Sequence, residues 1–162
     1  MPETFEVVIT AIIAKANRYL ILRRSPEKKR FPGMWTVPGG HLESHDFTST
    51  PKETKEYWYN VLEKTLRREV MEEAGLTIKN IEYVTSLATV HADGAPSLVI
   101  SCMAQYDSGK ISLQKGETDK SAWVTLDETK QYDLIDGIYD ELGLADKLRQ
   151  GKRQEWTRNL AK

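Results

Sequence analysis

The sequence predicts a single α/β sandwich built on a mixed β-sheet. Segments rich in β-branched residues outnumber helical segments and are interspersed with them along the chain. The length of 162 residues suits one compact domain, and no repeat or linker divides it. One domain is therefore predicted over residues 1–162, with the polar residues 152–162 as a loosely held tail.

Composition limits the classes of partner and the location. Hydrophobic residues make up 40% and charged residues 29%, which is typical of a soluble globular chain. The formal net charge of -1 produces no global attraction to nucleic acid or to an anionic membrane. The single cysteine, Cys102, excludes a disulfide within the chain. Because the N-terminus lacks a basic and apolar leader and no segment approaches a membrane span, a cytoplasmic location without a membrane partner is expected.

Three strands are predicted in the first part of the chain. Residues 5–14 are rich in β-branched residues, and Asn17-Arg18 turns the chain into a second strand at residues 19–23. A short strand at residues 34–37 stops at Pro38-Gly39-Gly40, because proline and consecutive glycines interrupt a strand.

The second half predicts further strands and one helix. Residues 78–90 and 97–106 form strands joined by a hairpin loop at residues 91–96. Residues 121–126 predict another short strand. Residues 132–142 carry apolar residues at helical spacing and predict a helix.

A helix rich in charged residues is predicted to end at Gly75, which suits a left-handed C-terminal cap. Its start has two alternatives. Asn60 with Glu63 forms one capping pattern, and Thr50-Pro51 forms another farther upstream.

The charges of this helix do not all lie on a solvent face. Three aliphatic residues form its apolar stripe on a helical wheel: Leu62, Leu66 and Val70. Glu69 and Glu73 fall inside that stripe, whereas Arg68 and Glu72 fall at its edge. A solvated face is the usual interpretation of a charge run, but a buried carboxylate needs a cationic partner, either Arg/Lys or a metal.

The spacing of Glu69, Glu72 and Glu73 brings the three carboxylates to one patch of the helix. The three carboxylates of this patch repel one another unless a divalent cation is present. Oxygen ligands favour Mg²⁺, with Mn²⁺ as the alternative, over zinc, and the chain has no Cys/His cluster. Arg68 can reach across to hold one of the carboxylates.

Together with Gly40, these residues resemble the Nudix box of the Nudix hydrolases. That pattern is a glycine, five residues, a glutamate, seven residues, then Arg-Glu-aliphatic-x-Glu-Glu-x-Gly-aliphatic. The second half matches at every fixed position: Arg68, Glu69, Val70, Glu72, Glu73, Gly75 and Leu76. The segment from Trp35 to Gly40 is similar to the MutT-like branch. The resemblance covers residues 5–145 and implies an α/β/α sandwich around the mixed sheet.

The first half of the pattern departs from the family. Asp46 stands at the position of the first glutamate counted from Gly40, and Asn60 stands there counted back from Arg68. An insertion of about residues 47–59 accounts for the difference. By resemblance that glutamate is mainly structural, so its replacement affects loop geometry more than chemistry. The aromatic end of the insertion, residues 57–59, packs as core or at a homodimer contact, or forms a lid over a base.

The resemblance also implies a reaction, the splitting of a diphosphate linkage in a nucleoside diphosphate joined to another moiety. It assigns catalytic roles to Glu69, Arg68 and Glu72, with Glu69 also a candidate base. Its Mg²⁺ ligands are the three helix glutamates, the Gly39 carbonyl and Glu117. Glu117 stands six residues before Trp123, as in the family, although an exposed turn is the alternative interpretation.

Substrate contacts are expected at the ends of the early strands. Arg23 or Arg24 suits bidentate contact with phosphate or base, the alternative being plain strand-end charges. Gly40 belongs to a turn that phosphate can approach. The role of His91 is open. Because the basic segment at residues 23–30 is short, no nucleic acid polymer is expected as a partner.

Several functions share these features. A nucleoside triphosphate, modified or not, is the preferred small-molecule substrate, and sugar nucleotides or dinucleoside polyphosphates come next. A non-catalytic nucleotide-sensing module is the alternative from another class. An isopentenyl diphosphate isomerase is disfavoured, because Cys102 lies in a strand pattern rather than at a catalytic position.

Overall fold

The computed structural model describes residues 2–158, which form a mixed sheet with helices on both faces. The strands are β1 Glu6–Lys15, β2 Arg18–Arg24, β3 Trp35–Thr36, β4 Gly39–His41, β5 Leu76–Val90, β6 Pro96–Gly109 and β7 Thr118–Val124. The helices are α1 His45–Thr48, α2 Val61–Ala74 and α3 Ile138–Arg149, with a 3₁₀ turn at Glu128–Gln131. The predicted α/β class is confirmed.

Strand β1 is the centre of the sheet. The order is β3-β2-β1-β6-β5, and β4 and β7 pair with β1 and β2 outside that path. The β1–β6 pair is parallel and the other pairs are antiparallel, which makes the sheet mixed. On the edge opposite β6, β1 pairs with β2 near its end and with β4 near its start.

The alternation of side chains along β1 divides the core into two layers. Ile9, Ala11 and Ile13 belong to the cluster that contains Leu66 and Val70 of α2. Residues Ile12 and Ala14 belong to the opposite cluster, which contains Leu142 and Ala145 of α3. The sheet is therefore covered by α2 on one face and by α3 on the other.

The observed start of α2 agrees with one of the two predicted starts, and its observed end agrees with the predicted cap at Gly75. Asn60 precedes the helix with a φ of 54°, and Gly75 follows it with a φ of 72°, both in the left-handed region. Residues 51–60 are not helical, so the start at Thr50-Pro51 is wrong.

The helix predicted over residues 132–142 is displaced. Helix α3 begins only at Ile138, after Gly137 at a φ of 99°. Upstream, the Trp35 N–H donates to the Asp133 carbonyl at 2.9 Å, and the Ile135 N–H donates to the Trp35 carbonyl at 2.9 Å. Because these backbone groups are bonded to β3, residues 133–135 take an extended path although their apolar spacing is helical.

The segment after α3 turns back over the α3 face. Arg153 Nη1 donates to the Tyr83 carbonyl at 3.3 Å, and Trp156 packs against the α3-side core. Arg158 Nη1 donates to Asp136 Oδ1 at 2.7 Å. The loosely held tail was predicted over residues 152–162, of which 159–162 lie outside the described residues.

None of the helices in the described part of the chain is long and apolar enough to cross a membrane.

Tyr19 ties the end of α3 to β2, and its substitution by Phe is expected to destabilise the fold. The buried Tyr19 hydroxyl donates to Asp146 Oδ1 at 2.6 Å and accepts from Arg149 Nη1 at 3.1 Å. Burial, aided by Asp146, raises the pKa of Tyr19 to about 12. Tyr19→Phe should lower the free energy of unfolding in urea by about 1–2 kcal/mol.

Tyr57→Phe is the matched control, because that side chain is 64% exposed. Its effect should stay within about 0.5 kcal/mol. Equal stability of the two variants would contradict a structural role for the Tyr19 hydroxyl.

Candidate active site

Helix α2 presents carboxylates toward the body of the protein, as its helical wheel predicts. Leu66 and Val70 are fully buried, and Glu69 is only 9% exposed. Glu72 is exposed at the edge of the helix. A solvated face therefore does not describe this charge run.

Arg68 is the hub of the cluster. Its Nη1 donates to Glu69 Oε1 at 2.8 Å and to Glu72 Oε2 at 3.1 Å. The Nη2 atom donates to the His41 carbonyl at 3.0 Å and to Asp46 Oδ2 at 3.1 Å, and Nε donates to Asp46 Oδ1. The hydrogen bonds to Asp46 raise the pKa of Arg68, so the guanidinium stays charged.

Asp46 joins the loop after β4 to α2. Its Oδ2 accepts from Thr65 Oγ1 at 2.8 Å and from the Glu43 N–H at 3.0 Å. Burial acts to raise the pKa of Asp46, but the hydrogen bonds from Arg68, Glu43 and Thr65 outweigh it and lower the pKa to about 2. The residue that departs from the family pattern thus holds the loop by a charged pair.

The two glycines of β4 allow the backbone to touch both β1 and α2. A Cβ on Gly40 would overlap the Glu69 carboxyl group, and a Cβ on Gly39 would lie 2.8 Å from Thr10 Cγ2. The Gly39 N–H donates to Glu73 Oε2 at 3.3 Å. A side chain at Gly40 would push the strand away from Glu69, and one at Gly39 would push it away from β1.

Glu73 is partly buried. Burial raises the pKa of Glu73 to about 8; the Gly39 N–H and Arg24 act in the opposite direction, while Glu69 and Glu117 raise it further. A raised pKa is expected for a buried carboxylate whose charge is only partly compensated.

Glu117 and Arg24 face this cluster from the other side. Glu117 Oε2 accepts from Lys28 Nζ at 2.6 Å, which brings the basic loop to the site. Burial lowers the pKa of the Arg24 guanidinium. The negative charges of Glu73 and Glu117 act in the opposite direction and have a smaller effect. In the sequence, Lys28 is only one of a run of basic residues, and no pattern indicates its contact with Glu117.

Arg23 is not brought to the carboxylates. Its Nε donates to Asp119 Oδ1 at 2.8 Å, and its Nη2 contacts Asp119 Oδ2, which pairs β2 with β7. Arg23 and Arg24 are adjacent in sequence, but a register shift separates their pairings with β7. Of the two arginines predicted to bind substrate, only Arg24 lies beside the cluster.

A second charged group lies at the start of β1. Glu6 Oε2 is 3.4 Å from His41 Nε2, 3.6 Å from His91 Nε2 and 3.8 Å from Arg30 Nη1. The hairpin residue His91 therefore reaches the same edge of the sheet as β4. No sequence pattern connected these four residues.

The segment predicted to be an insertion packs largely on itself. The Phe47 and Trp58 rings lie 5.4 Å apart, and Trp58 Nε1 donates to the Thr50 carbonyl at 2.8 Å. Tyr57 and Tyr59 are 64% and 54% exposed. Packing as core is therefore wrong for Tyr57 and Tyr59, whereas a homodimer contact and a lid remain predictions.

The donor set suits a hard divalent cation, because it consists of carboxylates around a close backbone turn. The raised pKa of Glu73 also agrees with a position where a cation would compensate charge. Within residues 2–158, no three or more His, Cys, Asp or Glu side chains are arranged as a ready metal site. In this conformation Arg68 holds one oxygen each of Glu69 and Glu72.

A family model for the NUDIX domain matches residues 4–142. The chain belongs to the Nudix family. It is 40% identical over 127 residues to the NAD-capped RNA hydrolase NudC of Citrobacter koseri, which covers 78% of this chain and 41% of that protein. The chain spans less than half the length of these curated relatives.

Solved structures of Nudix proteins share the fold. The MutT NUDIX hydrolase of Burkholderia pseudomallei superposes with a TM-score of 0.66 at 20% identity, over 86% of this chain and 97% of that one. The NUDIX domain of Shewanella oneidensis NrtR, complexed with ADP ribose, superposes with a TM-score of 0.63 at 21% identity. The match covers 92% of this chain and 89% of that one. These similarities confirm the predicted Nudix-type α/β/α sandwich.

Replacement of Asp46 by Asn is expected to destabilise the Nudix fold and to change its acid sensitivity. The pKa of Asp46 is lowered from 3.8 to about 2, so its ionised form adds stability above about pH 4 that is lost as pH falls toward 2. Asp46→Asn should cost roughly 2–4 kcal/mol at pH 7, because Arg68 loses its buried partner. Urea unfolding at pH 7 and at pH 3 should show a smaller difference for the variant than for the wild type.

Asp127→Asn is the control, since it removes the same charge from an exposed pair with Lys130. Its effect should be within about 0.5 kcal/mol. An Asp46 variant as stable as this control at pH 7 would contradict the anchoring role.

Proposed function

We propose that this chain is a Mg²⁺-dependent hydrolase that splits a diphosphate linkage in a nucleoside diphosphate derivative. The observation that carries the proposal is the set of contacts made by three glutamates of α2. Glu69 and Glu72 accept hydrogen bonds from Arg68, Glu73 accepts one from the Gly39 N–H, and Glu69 lies against Gly40. Membership of the Nudix family supports the same reaction class.

Each residue of the cluster has a separate role in this proposal. The three helix glutamates, the Gly39 carbonyl and Glu117 would hold Mg²⁺, with Mn²⁺ as the alternative ion. When bound, the ion neutralises diphosphate charge and lowers the pKa of an attacking water. Arg68 orients Glu69 and Glu72 through its hydrogen bonds, and Glu69 is the proposed base.

Cations facing the glutamates suit an anionic substrate. Lys28 contacts Glu117, and Arg24 lies close enough to Glu73 and Glu117 for their charges to affect its pKa. These two side chains would bind the diphosphate oxygens through charge-assisted hydrogen bonds. They make up for the absence of a strong net positive charge, since the chain carries a formal charge of -1.

Two substrate classes stand ahead of the others. A nucleoside triphosphate, modified or not, is proposed from the MutT-like segment at Trp35 to Gly40. The name of the Citrobacter koseri relative favours a nucleoside diphosphate joined to a second nucleoside, as in NAD. Both contain the linkage that the proposed reaction splits.

A nucleotide-sensing module is the second candidate. The NUDIX domain of Shewanella oneidensis NrtR is bound to ADP ribose, which supports recognition of a nucleotide by this fold. The complete set of Arg68 and three glutamates favours catalysis over sensing alone.

Turnover of a nucleotide panel tests the proposed reaction. With Mg²⁺, phosphate or pyrophosphate release and product chromatography should detect hydrolysis among nucleoside triphosphates, NAD, ADP-ribose, a sugar nucleotide and a dinucleoside polyphosphate. A chelator should abolish turnover, and added Mg²⁺ or Mn²⁺ should restore it. Glu72→Gln and Glu73→Gln should each lower kcat/KM roughly 100-fold, because a carboxylate needed by the cation is lost.

Glu63→Gln is the matched control, since Glu63 lies in the first turn of α2 and outside the cluster. Its turnover should stay within about twofold of the wild type. Tight binding of a nucleotide with no hydrolysis of any member of the panel would replace the proposed reaction with sensing.

A further inference from the structure

Strand β5 forms one edge of the sheet. It pairs with β6 on one side, and no strand within residues 2–158 pairs with its other side. The backbone N–H and C=O groups on that outer side therefore have no strand partner. Such an edge is a template on which another chain can add a strand, and folded proteins commonly protect it with charges, bulges or covering segments.

The first half of this edge carries such protection. The pairing of β5 with β6 shifts register between Lys79 and Glu82 and again between Tyr83 and Thr85. Lys79 and Glu82 are charged and exposed. The Tyr83 carbonyl accepts a hydrogen bond from Arg153 Nη1 at 3.3 Å. The approach of another strand is therefore disfavoured along the part of β5 that precedes Thr85.

The second half of the edge, from Thr85 to Val90, lacks these features. Its pairing with β6 continues in uninterrupted register. The segment contains no charged residue, proline or glycine. Its last five residues are all exposed, and the exposed fractions of Leu87 and Val90 are 43% and 70%. Because successive side chains of a strand point to opposite faces, this end of β5 is uncovered on both faces of the sheet.

The unprotected segment is complementary to itself. Residues 85–89 read Thr-Ser-Leu-Ala-Thr, which is almost the same in both directions. An antiparallel second copy with its two-fold axis at the central leucine sets each residue against a matching one: Leu87 against Leu87, Thr85 against Thr89, and Ser86 against Ala88. Aliphatic pairs and threonine pairs stabilise adjacent strands, and no like charges oppose each other here.

We propose that β5 pairs along residues 85–89 with β5 of a second copy of this chain, which makes one continuous sheet across a homodimer. Antiparallel pairing over this segment adds roughly four to six backbone hydrogen bonds. The formal net charge of -1 gives little repulsion between the copies. Because the two-fold axis uses the same edge of both copies, assembly stops at two.

Sedimentation equilibrium of the wild type and of Leu87 variants tests this pairing. The wild type should show a monomer–dimer equilibrium. Leu87→Lys and Leu87→Glu should each weaken the dimer at least tenfold, because like charges then meet at the two-fold axis. An equal mixture of the two variants should recover the dimer, since the mixed pair sets Lys against Glu. Recovery in the mixture distinguishes lost pairing from lost folding.

Oxidative cross-linking tests the register of the pairing. Leu87→Cys should form a disulfide-linked dimer, because directly opposed residues of antiparallel strands have Cα atoms roughly 4.5–5.5 Å apart, within disulfide reach. Thr89→Cys is the matched control, since the two copies of residue 89 lie roughly 14 Å apart in this register. The native Cys102 is buried, so the wild type should stay unlinked.

Met71→Lys is the control for an added charge, because Met71 is 47% exposed and lies on α2, and its dimer should match that of the wild type. A wild type that stays monomeric at its highest soluble concentration would overturn the homodimer and leave the edge to a strand of a different chain. A dimer that dissociates in Tyr57→Lys but not in Leu87→Lys would also overturn it. Equal cross-linking of Thr89→Cys and Leu87→Cys would contradict the register.

Discussion

The pairing of Arg68 with Asp46 is the interaction on which the rest of the site depends. One guanidinium donates to Asp46, Glu69 and Glu72 and to the His41 carbonyl, so it joins α2 to the loop after β4. A guanidinium can do this because its donors are fixed in a plane and its charge persists when it is partly buried. Without that charge, the adjacent carboxylates would repel one another or become protonated.

Charge is divided between the two faces of the sheet. On the α2 face, the glutamates are opposed by Arg68, Arg24 and Lys28 and are close to the Gly39-Gly40 backbone. On the α3 face, Asp140 and Glu141 are buried in the first turn of α3, and Trp156 lines the same cavity as Glu141. The central strand β1 supplies both faces, because its side chains alternate.

Sequence patterns succeeded where the determining contacts are local. Gly75 at the end of α2 and the burial of Glu69 follow from helical periodicity within one segment. The helix predicted over residues 132–142 begins only at Ile138, because residues 133–135 bond to Trp35, about a hundred residues earlier. The same limitation applies to Arg23, whose partner Asp119 lies on a strand that sequence spacing does not connect with it.

The sequence by itself determined the family pattern, the α/β class and the helix that carries the glutamates, because each depends on residue type at short, regular spacing. Only the tertiary structure showed that Asp46 holds Arg68 across 22 positions, that Lys28 reaches Glu117, and that Trp156 forms a cavity wall beside Glu141. These contacts join distant segments through strand pairing and burial. Their distances are set by how the sheet packs between α2 and α3, which no local pattern records.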